Sequence, residues 1–334
     1  MKILFLGLGS IGCRHLRILK ELVQAEIVWC SNGNNPNEKM LIKKYGIQIK
    51  RSIEAALAEK IDFAVISNPT SRHVESATRI AEAKVPFFLE KPVSGSMGGV
   101  EELRRIVLEN NVKVLVGYNF RYHPAFKVLK TAVNKGLIGA PLSLRAELGQ
   151  YLPDWHPDRD YRKDLSAKRD MGGGVVLDLS HEIDLAVNLF GEVDKVSAIC
   201  SKYSSLEIET EDIAEITMVH KSNRLSQIHL DYCQRVYSKS LVVIGDKGTI
   251  VWNYTEKKVD LLSPCGNETL WRGSLKETRD EMFKDQMTHW LSVLNGEDEA
   301  EVSLEDGIYV TRIALAAKRS SEEGKHICVG QFTR

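Results

Sequence analysis

The apolar run Lys2–Leu6 leads directly into a GxGxxG motif, and an amphipathic stretch, Cys13–Leu22, follows that motif. Strand, tight turn and helix in this order form the dinucleotide-binding fingerprint in the context that it requires. Gly7 permits the sharp turn out of the strand, Gly9 leaves the backbone open to a pyrophosphate, and Gly12 lets the helix pack closely. The free N–H groups that open the helix then face the anion. The predicted dinucleotide contacts in this motif are Gly7, Gly9, Ser10, Ile11 and Gly12.

The composition limits the classes to which the protein can belong. Its 334 residues, 43% of them hydrophobic, predict two domains with enough apolar side chains for both cores. Lys plus Arg and Asp plus Glu both number 45, and this zero formal charge argues against a nucleic-acid or membrane-surface binder. No apolar stretch approaches the roughly 18–20 residues of a membrane span, and the opening run is too short for a secretory signal. Six cysteines without a CxxC pair favour reduced thiols in a cytoplasmic protein.

The pattern of apolar residues changes once along the chain. Up to about residue 122, short apolar runs alternate with helical patterns of about 10–15 residues, which predicts a parallel sheet covered on both faces. Beyond that point, alternating runs separated by turn residues predict a mostly antiparallel sheet. One helix is predicted at about 174–190, and two more near the end at about 278–295 and 305–322. We therefore expect an α/β protein with one domain at 1–122 and a second at 123–334.

Two groups of polar residues follow predicted strands of the first domain. Asn68 and Pro69 come after an apolar run, and His73 opens the next helix. This turn lies at the carboxyl end of a predicted strand, which is where open α/β sheets bind ligands. An ordinary turn is the alternative interpretation. Lys91, between Glu90 and a proline, is placed for proton transfer if its surroundings lower its pKa from about 10.4. The alternative is a surface lysine in a turn. The Lys91–Pro92 peptide bond is a candidate for the cis form.

A run of three glycines precedes a cluster of titratable residues. Asp178 and His181 are three positions apart after Gly172–Gly174, so on one predicted helix they share a face. A carboxylate beside an imidazole fixes its tautomer and stabilises the imidazolium after proton uptake. A structural histidine is the alternative, and a metal site is discounted because no further ligand group has metal spacing.

A loop rich in aromatic and hydrogen-bonding side chains follows the first strand of the second domain. Such a loop suits stacking on a polyhydroxylated ring, although a packed surface loop has the same composition. Its candidate substrate contacts are Tyr151, Trp155, His156, Tyr161 and Arg162.

Six motifs occur in order along nearly the whole chain. They are GLGSIG at 7–12, NPTSRHVE at 68–75, EKP at 90–92, YNFRYHP at 118–124, GGGVVLDLSHEID at 172–184 and GDKGTI at 245–250. Together they resemble the glucose–fructose oxidoreductase and inositol dehydrogenase family, Gfo/Idh/MocA. The resemblance implies a Rossmann domain followed by an α/β domain with a large open, mostly antiparallel sheet that forms a homodimer or homotetramer. The final helices are expected to pack back on the first domain.

The resemblance also implies roles for individual residues. Lys91 matches the lysine that contacts substrate and cofactor near the nicotinamide, and Asp178 and His181 match the catalytic pair. We expect His181 to lie within hydrogen-bond reach of Lys91 or of a substrate hydroxyl. Further cofactor contacts are expected at Ser31, Asn32, Asn68, Pro69, His73, Glu90 and Asn119, and further substrate contacts at Asn119 and Arg121.

One departure concerns the spacing of the catalytic pair. The family commonly places its histidine four residues after the aspartate, whereas here the spacing is three and Glu182 occupies the fourth position. This leaves open whether His181 is the base, whether Glu182 shares the role, or whether Lys91 acts more directly.

The end of the second strand bears on the choice of cofactor. Enzymes that use NAD place a carboxylate there for the ribose 2′-hydroxyl, but Ser31 and Asn32 follow this strand. The missing carboxylate favours NADP over NAD, with Arg14 or Lys39 as the partner of the 2′-phosphate.

The resemblance implies hydride transfer between a nicotinamide and a carbinol of a sugar, a cyclitol or a nucleotide-linked sugar, within surface-polysaccharide sugar biosynthesis. Two alternatives remain. One is a cofactor-binding sensor or regulator without turnover. The other is an epimerase or glycosidase whose bound cofactor cycles.

Overall fold

The computed structural model describes residues 1–274 and 279–332. The chain divides into two compact units, which are described separately. The N-terminal unit comprises Met1–Tyr118 and Phe283–Ile308, and the C-terminal unit comprises Asn119–Met282 and Tyr309–Arg334.

The N-terminal unit contains a six-stranded parallel sheet in the order β3-β2-β1-β4-β5-β6. Its strands are β1 (Lys2–Leu6), β2 (Glu26–Cys30), β3 (Gln48–Lys50), β4 (Phe63–Ile66), β5 (Phe87–Leu89) and β6 (Val114–Val116). Its helices are α1 (Ser10–Leu22), α2 (Glu38–Tyr45), α3 (Ile53–Leu57), α4 (His73–Glu82) and α5 (Val100–Glu109). The strand order reverses beside β1, which is where doubly wound sheets bind ligands. The predicted parallel sheet is confirmed, although β3 was not predicted.

Local signals explain where these elements begin and end. All residues of β4 are fully buried, as expected for a strand covered by helices on both faces. The Ser52 hydroxyl accepts a hydrogen bond from the Ala55 N–H and starts α3. Gly46 ends α2 in the left-handed conformation, with φ of 65°.

The C-terminal unit contains a nine-stranded sheet in the order β14-β13-β12-β11-β7-β10-β9-β8-β15. Its strands are β7 (Pro141–Gly149), β8 (Val193–Ser201), β9 (Ile213–His220), β10 (Leu225–Asp231), β11 (Ser238–Gly245), β12 (Thr249–Asn253), β13 (Lys258–Ser263), β14 (Gly266–Arg272) and β15 (Ile327–Cys328). All neighbours are antiparallel except β7 and β10. The predicted mostly antiparallel sheet is confirmed, but β13, β14 and β15 were not predicted.

The helices of this unit begin with α6 (Pro124–Asn134), followed by α7 (Val175–Asp178) and α8 (His181–Phe190). The prediction of one helix at about 174–190 is therefore wrong. The Ser180 hydroxyl donates to the Leu177 carbonyl at 2.9 Å, and the Ser180 N–H bonds the same carbonyl in a tightened turn. A side chain that occupies a helical carbonyl in this way competes with the regular helix.

Two long helices follow the sheet: α9 (Asp280–Asn295) and α10 (Leu304–Glu323). The predicted start of the first, at about 278, lies outside the described residues. Within the N-terminal unit, the Trp290 ring of α9 packs edge-on against Phe63 at 6.0 Å. Within the described ranges, no helix is both long enough and apolar enough to span a bilayer.

Candidate active site

The glycine-rich loop leaves β1 at the carboxyl edge of the parallel sheet. Gly7 has φ of +102°, and a Cβ there would lie 2.5 Å from the Asn68 nitrogen. A Cβ on Gly12 would lie 2.3 Å from the Gly7 carbonyl oxygen. Gly7 therefore requires glycine because of its positive φ and the close backbone after β4, and Gly12 because the start of α1 packs directly on this turn.

Gly9 differs from these two glycines. It is exposed, lies at the N-cap of α1, and a Cβ built on it meets no atom within 4 Å. Open space above bare backbone at a helix N-terminus is what a pyrophosphate needs. Ser10 is exposed and Ile11 is half-buried in the same turn. The loop therefore fits a dinucleotide, held by the first turn of α1.

The turn after β4 lies next to this loop and is held by His73. The His73 Nδ1 lies 2.8 Å from the Pro92 carbonyl oxygen, and its Nε2 lies 2.9 Å from the Asn68 carbonyl oxygen. Burial lowers the pKa of this imidazole. Both ring nitrogens thus face backbone, so His73 ties the Asn68–Pro69 turn to the turn after β5. The Asn68 amide binds Ser76 at 2.8 Å through its nitrogen.

The turn after β5 carries the predicted catalytic lysine. The Lys91–Pro92 peptide bond is cis, as the sequence suggested. Glu90 is buried, lies 2.6 Å from the His15 Nε2, and accepts a hydrogen bond of 3.1 Å from the Lys91 backbone N–H. Burial raises the pKa of this carboxyl, but the hydrogen bond and charge of His15 and the charge of Lys91 bring it below its usual value. A buried carboxylate therefore fixes the backbone beside the half-buried Lys91.

The end of β2 corrects one premise of the sequence analysis. The Ser31 hydroxyl donates to the carboxylate of Glu38, which belongs to the first turn of α2, and Arg51 also binds that carboxylate. A carboxylate therefore stands at the strand end where the sequence indicated none. Asn32 and Lys39 are exposed there. The Arg14 guanidinium lies 4.8 Å from the centre of the Phe283 ring.

In the C-terminal unit, Asp178 ends α7 and His181 begins α8. The Tyr232 hydroxyl donates to the Asp178 carboxylate at 2.6 Å, and burial raises the pKa of that tyrosine well above its usual value. His181 is 8% exposed, and its ring packs perpendicular to Phe120 with 5.0 Å between centroids. The same-face argument for Asp178 and His181 is therefore wrong, because they belong to different helices.

Glu182 is fully buried and forms an ion pair with Lys239 of β11, whose side chain is 1% exposed. The Lys239 ammonium lies 4.1 Å from the centre of the Phe120 ring and 5.3 Å from that of Trp252. Burial raises the pKa of the Glu182 carboxyl and lowers that of the Lys239 ammonium, while each group opposes the shift of the other. The charge of Glu182 is therefore paired with that of Lys239 inside the C-terminal unit.

Two predicted contacts lie in the turn before α6. Arg121 is buried and binds Asp184 through its Nη2 at 2.6 Å and its Nε at 3.0 Å. Because its guanidinium is bound to Asp184, Arg121 is better suited to holding the turn before α6 in place than to contacting substrate. Asn119 is 2% exposed, and its Nδ2 has no hydrogen-bond partner within residues 1–274 and 279–332. A buried amide donor of this kind fits a ligand carbonyl, such as that of a carboxamide.

The aromatic loop reaches Asp178 indirectly, because its Trp155 ring packs on Tyr232, which binds Asp178. Trp155 packs perpendicular to Tyr232 with 5.4 Å between centroids, and its Nε1 donates to the Gln150 carbonyl at 3.3 Å. The Arg235 guanidinium lies 3.7 Å from the centre of the Tyr151 ring, and His156 is half-buried.

The other two predicted loop contacts are placed differently. The Tyr161 hydroxyl accepts a hydrogen bond from the Glu207 N–H at 3.2 Å. Arg162 is exposed and pairs with Asp160 at 2.7 Å and with Glu207 at 3.4 Å. Their substrate roles stay predictions, whereas Trp155 is joined to Asp178 through Tyr232.

Sequence reasoning missed several residues that shape these surroundings. They are Glu38, Arg51, Phe120, Tyr232 and Lys239. Only Glu38 had a local signal, since an acidic residue in a first helical turn shortly after β2 can reach that strand end.

The open space above Gly9 makes a specific prediction. A Gly9→Val protein should fold, because its backbone there is extended with φ of −77°, but the side chain should fill the pyrophosphate position. NADH affinity should fall roughly 100-fold or more, since each lost hydrogen bond to the charged phosphate is worth about 1.5–3 kcal/mol. Fluorescence titration with NADH measures this. Gly330→Val is the matched control, because a Cβ there also meets no atom within 4 Å. Unchanged NADH affinity in Gly9→Val would contradict the placement.

Comparison with known proteins identifies the class and then the family. Residues 1–118 match the profile described as "Oxidoreductase family, NAD-binding Rossmann fold", and residues 126–251 match that of the "GFO/IDH/MocA C-terminal domain". These matches define an oxidoreductase with an NAD-binding Rossmann fold. The chain belongs to the Gfo/Idh/MocA family, which confirms the resemblance and the fold class.

Individual relatives are similar over nearly the whole chain. The myo-inositol 2-dehydrogenase of Thermotoga maritima is 30% identical, with 98% of both chains covered. The D-apiose dehydrogenase of Paraburkholderia graminis is 24% identical, with 96% of this chain and 88% of that protein covered. A structure of levoglucosan dehydrogenase with NADH and L-sorbose has a TM-score of 0.85 at 20% identity, with 98% of both chains covered, and supports the fold alone.

Proposed function

We propose that this protein is a dehydrogenase or reductase that transfers hydride between a nicotinamide and a carbinol of a sugar or cyclitol. The observation that carries the proposal is the convergence of three turns at the carboxyl ends of β1, β4 and β5. The glycine loop, the Asn68–Pro69 turn and the Lys91–Pro92 turn are joined there by close contacts and by His73. Relatives that are named as inositol, apiose and levoglucosan dehydrogenases support the substrate class.

A bound nicotinamide dinucleotide supplies or accepts the hydride. The residues of this chain then have to bind the substrate carbinol and move its hydroxyl proton. We assign that proton transfer to Lys91 and His181, with Asp178 orienting the site. Dinucleotide binding is assigned to the N-terminal unit, and substrate binding to the C-terminal unit.

A more specific proposal concerns the substrate. The Tyr151–Arg162 loop resembles that of family members in surface-polysaccharide sugar pathways, and this resemblance favours a nucleotide-linked or amino sugar. The relatives support a free cyclitol or pentose instead, so both kinds of substrate belong in the test.

The test is absorbance at about 340 nm with NAD and NADP, in both directions, against a panel of cyclitols, aldoses and nucleotide-linked sugars. Substrate-dependent change in absorbance is the expected result. A cofactor that co-purifies and does not exchange, with an epimerised or cleaved product, would instead show internal cycling. Tight cofactor binding without turnover on any member would favour a sensor or regulator.

The loop prediction has its own test. Trp155→Ala should raise the KM for substrate roughly tenfold and leave NADH affinity unchanged, because loss of one aromatic contact costs about 0.5–1.5 kcal/mol. Trp155→Phe should recover most of the effect, since it keeps a ring against Tyr232. Steady-state kinetics and NADH titration separate the two constants. A change in NADH affinity with an unchanged KM would contradict the assignment.

We further propose a homo-oligomer that forms through the C-terminal sheet. One face of the sheet carries Ile199, Glu215, His229 and Glu147 in register across four strands. Ile199 is 61% exposed, and His229 lies between Glu215 and Asp231, whose hydrogen bonds raise the pKa of its imidazole to about 9. This face therefore mixes apolar and paired charged groups, as protein–protein interfaces do, and that mixture supports the proposed contact between subunits. Whether the assembly is a dimer or a tetramer stays a prediction.

We also place the protein in the cytoplasm. None of the six cysteines, all of which lie among the described residues, forms a disulfide, which supports a reducing compartment.

A further inference from the structure

A buried histidine joins the helix of the glycine-rich loop to the turn that carries Lys91. His15 belongs to α1 and is 0% exposed, and its Nε2 lies 2.6 Å from the Glu90 Oε1. The rings of Phe88 and Phe283 pack edge-on against the imidazole, with 4.9 and 5.8 Å between centroids. These apolar rings hold the imidazole in the position from which it reaches the carboxylate.

The hydrogen bond between these two side chains has one direction at neutral pH. Burial raises the pKa of the Glu90 carboxyl, but the hydrogen bond from His15 is the largest of several influences that bring it below its usual value. The ionised carboxylate can only accept, so the His15 Nε2 carries the hydrogen and donates it. The His15 Nδ1 has no hydrogen-bond partner within residues 1–274 and 279–332. The ring is therefore oriented toward Glu90 by a single polar contact.

The two oxygens of the Glu90 carboxylate have different partners. Oε1 binds His15, and Oε2 accepts the Lys91 backbone N–H at 3.1 Å. A Cβ on Gly117 would lie 3.0 Å from Oε2, so bare backbone bounds the carboxylate on another side. The Glu90 N–H donates to the Ile66 carbonyl of β4 at 2.9 Å. The backbone of Lys91 is thus held by a carboxylate whose own orientation depends on His15.

We propose that His15 is a positioning residue for Lys91 in the proposed hydride-transfer reaction. It acts through Glu90, because its Nε2–H holds the carboxylate and the carboxylate holds the Lys91 N–H. The Lys91 ammonium then stands where it can exchange a proton with the substrate hydroxyl. The inference rests on the proposed function. It adds a residue of the glycine-loop helix to the groups that set the geometry of proton transfer.

His15 should also set the pH range in which Lys91 stays positioned. The titratable groups that face the Glu90 carboxylate are His15 of α1, the adjacent Lys91, and His73 of α4, whose ring nitrogens face backbone carbonyls. Without the His15 hydrogen bond, burial is left to raise the pKa of the carboxyl. A carboxyl with a raised pKa takes up a proton at a higher pH, and the protonated group is a weaker acceptor for the Lys91 N–H. Loss of His15 should therefore make turnover more sensitive to acid.

The test replaces His15 by leucine, which is also bulky but cannot donate a hydrogen bond. The kcat should fall roughly 10- to 100-fold, the scale of effect when a reacting group is displaced by about 1 Å. The acid limb of the profile of kcat/KM against pH should move to higher pH. NADH affinity should stay within a few-fold of wild type, because the Ser67 hydroxyl still donates to the Gly7 carbonyl at 2.8 Å and holds the glycine turn. Steady-state kinetics across pH and fluorescence titration measure these quantities.

Three further variants separate positioning from a general loss of stability. His15→Gln places an N–H near the position of Nε2 and should recover most of the turnover and the wild-type pH profile, whereas His15→Asn is one methylene shorter and should not. This pair also serves if the leucine variant does not fold. Ile18→Ala removes a buried apolar side chain from the same helix, so it should lower the melting temperature and keep the wild-type kcat and pH profile. Thermal melts establish that each variant is folded.

A double substitution tests whether His15 acts through Glu90. Glu90→Leu alone should lower turnover at least as much as His15→Leu. The variant with both substitutions should be no slower than Glu90→Leu, because residues that act along one path to Lys91 are not additive.

Two results would overturn the inference while the proposed function stands. One is wild-type turnover with an unshifted pH profile in folded His15→Leu or folded His15→Asn. The other is a double variant in which the two single effects multiply, because His15 would then act independently of Glu90. A folded wild-type protein that binds NADH but turns over no member of the substrate panel would overturn the proposed function, and this inference with it.

Discussion

Replacing Lys91 by alanine is expected to lower turnover about 10²- to 10⁴-fold, the usual contribution of a positioned general acid or base. The residue follows β5 at the carboxyl edge of the parallel sheet, and Glu90 holds its backbone N–H at 3.1 Å. The substitution should leave NADH affinity within a few-fold of wild type, because the glycine loop is untouched. Steady-state kinetics on the best substrate of the panel and NADH titration measure the two effects.

Two further variants define what the lysine does. Lys91→Arg keeps the positive charge but cannot release a proton near neutral pH, so it should be nearly as slow as alanine. Lys60→Ala, which removes an exposed lysine of the same unit, should keep full turnover. If Lys91→Arg kept full turnover, the role of Lys91 would be electrostatic, and the proton-transfer assignment would be wrong.

The fold was predictable because its signals are local. The glycine motif and the alternating apolar runs define the parallel sheet of the N-terminal unit within short stretches of chain. Even the short helix α3 is signalled by its N-cap, Ser52. Two of the missed strands, β13 and β14, have mostly half-buried or exposed residues, so they lack a clear apolar alternation.

The surroundings of the candidate site were less predictable, because they depend on pairs that are distant in sequence. Glu182 meets Lys239 across 57 residues, and Asp178 meets Tyr232 across 54. Burial and pairing decide what each of these carboxylates can do, and neither property can be read from residue spacing alone. At the break between Asp178 and His181, the Ser180 hydroxyl turns back to a helical carbonyl, a contact that the spacing of the two residues does not signal.

Because Glu182 is buried in a pair with Lys239, substitutions can distinguish the two candidate bases, Glu182 and His181. Glu182→Gln should destabilise the protein by about 3–5 kcal/mol, the usual result of leaving one charge of a buried pair uncompensated. It should not slow the folded enzyme, because the Glu182 side chain is 0% exposed and its carboxylate binds Lys239. His181→Asn should do the opposite and lower turnover about 10²- to 10⁴-fold with little loss of stability, since asparagine cannot take up a proton.

Urea unfolding and steady-state kinetics on the same preparations measure both properties. The double substitution Glu182→Leu with Lys239→Met should restore most of the lost stability, because it replaces both buried charges by apolar groups of similar volume. If folded Glu182→Gln is slow while His181→Asn turns over normally, Glu182 is the base. The usual four-residue spacing of the family would then define the role, and the match to His181 would be at the wrong position.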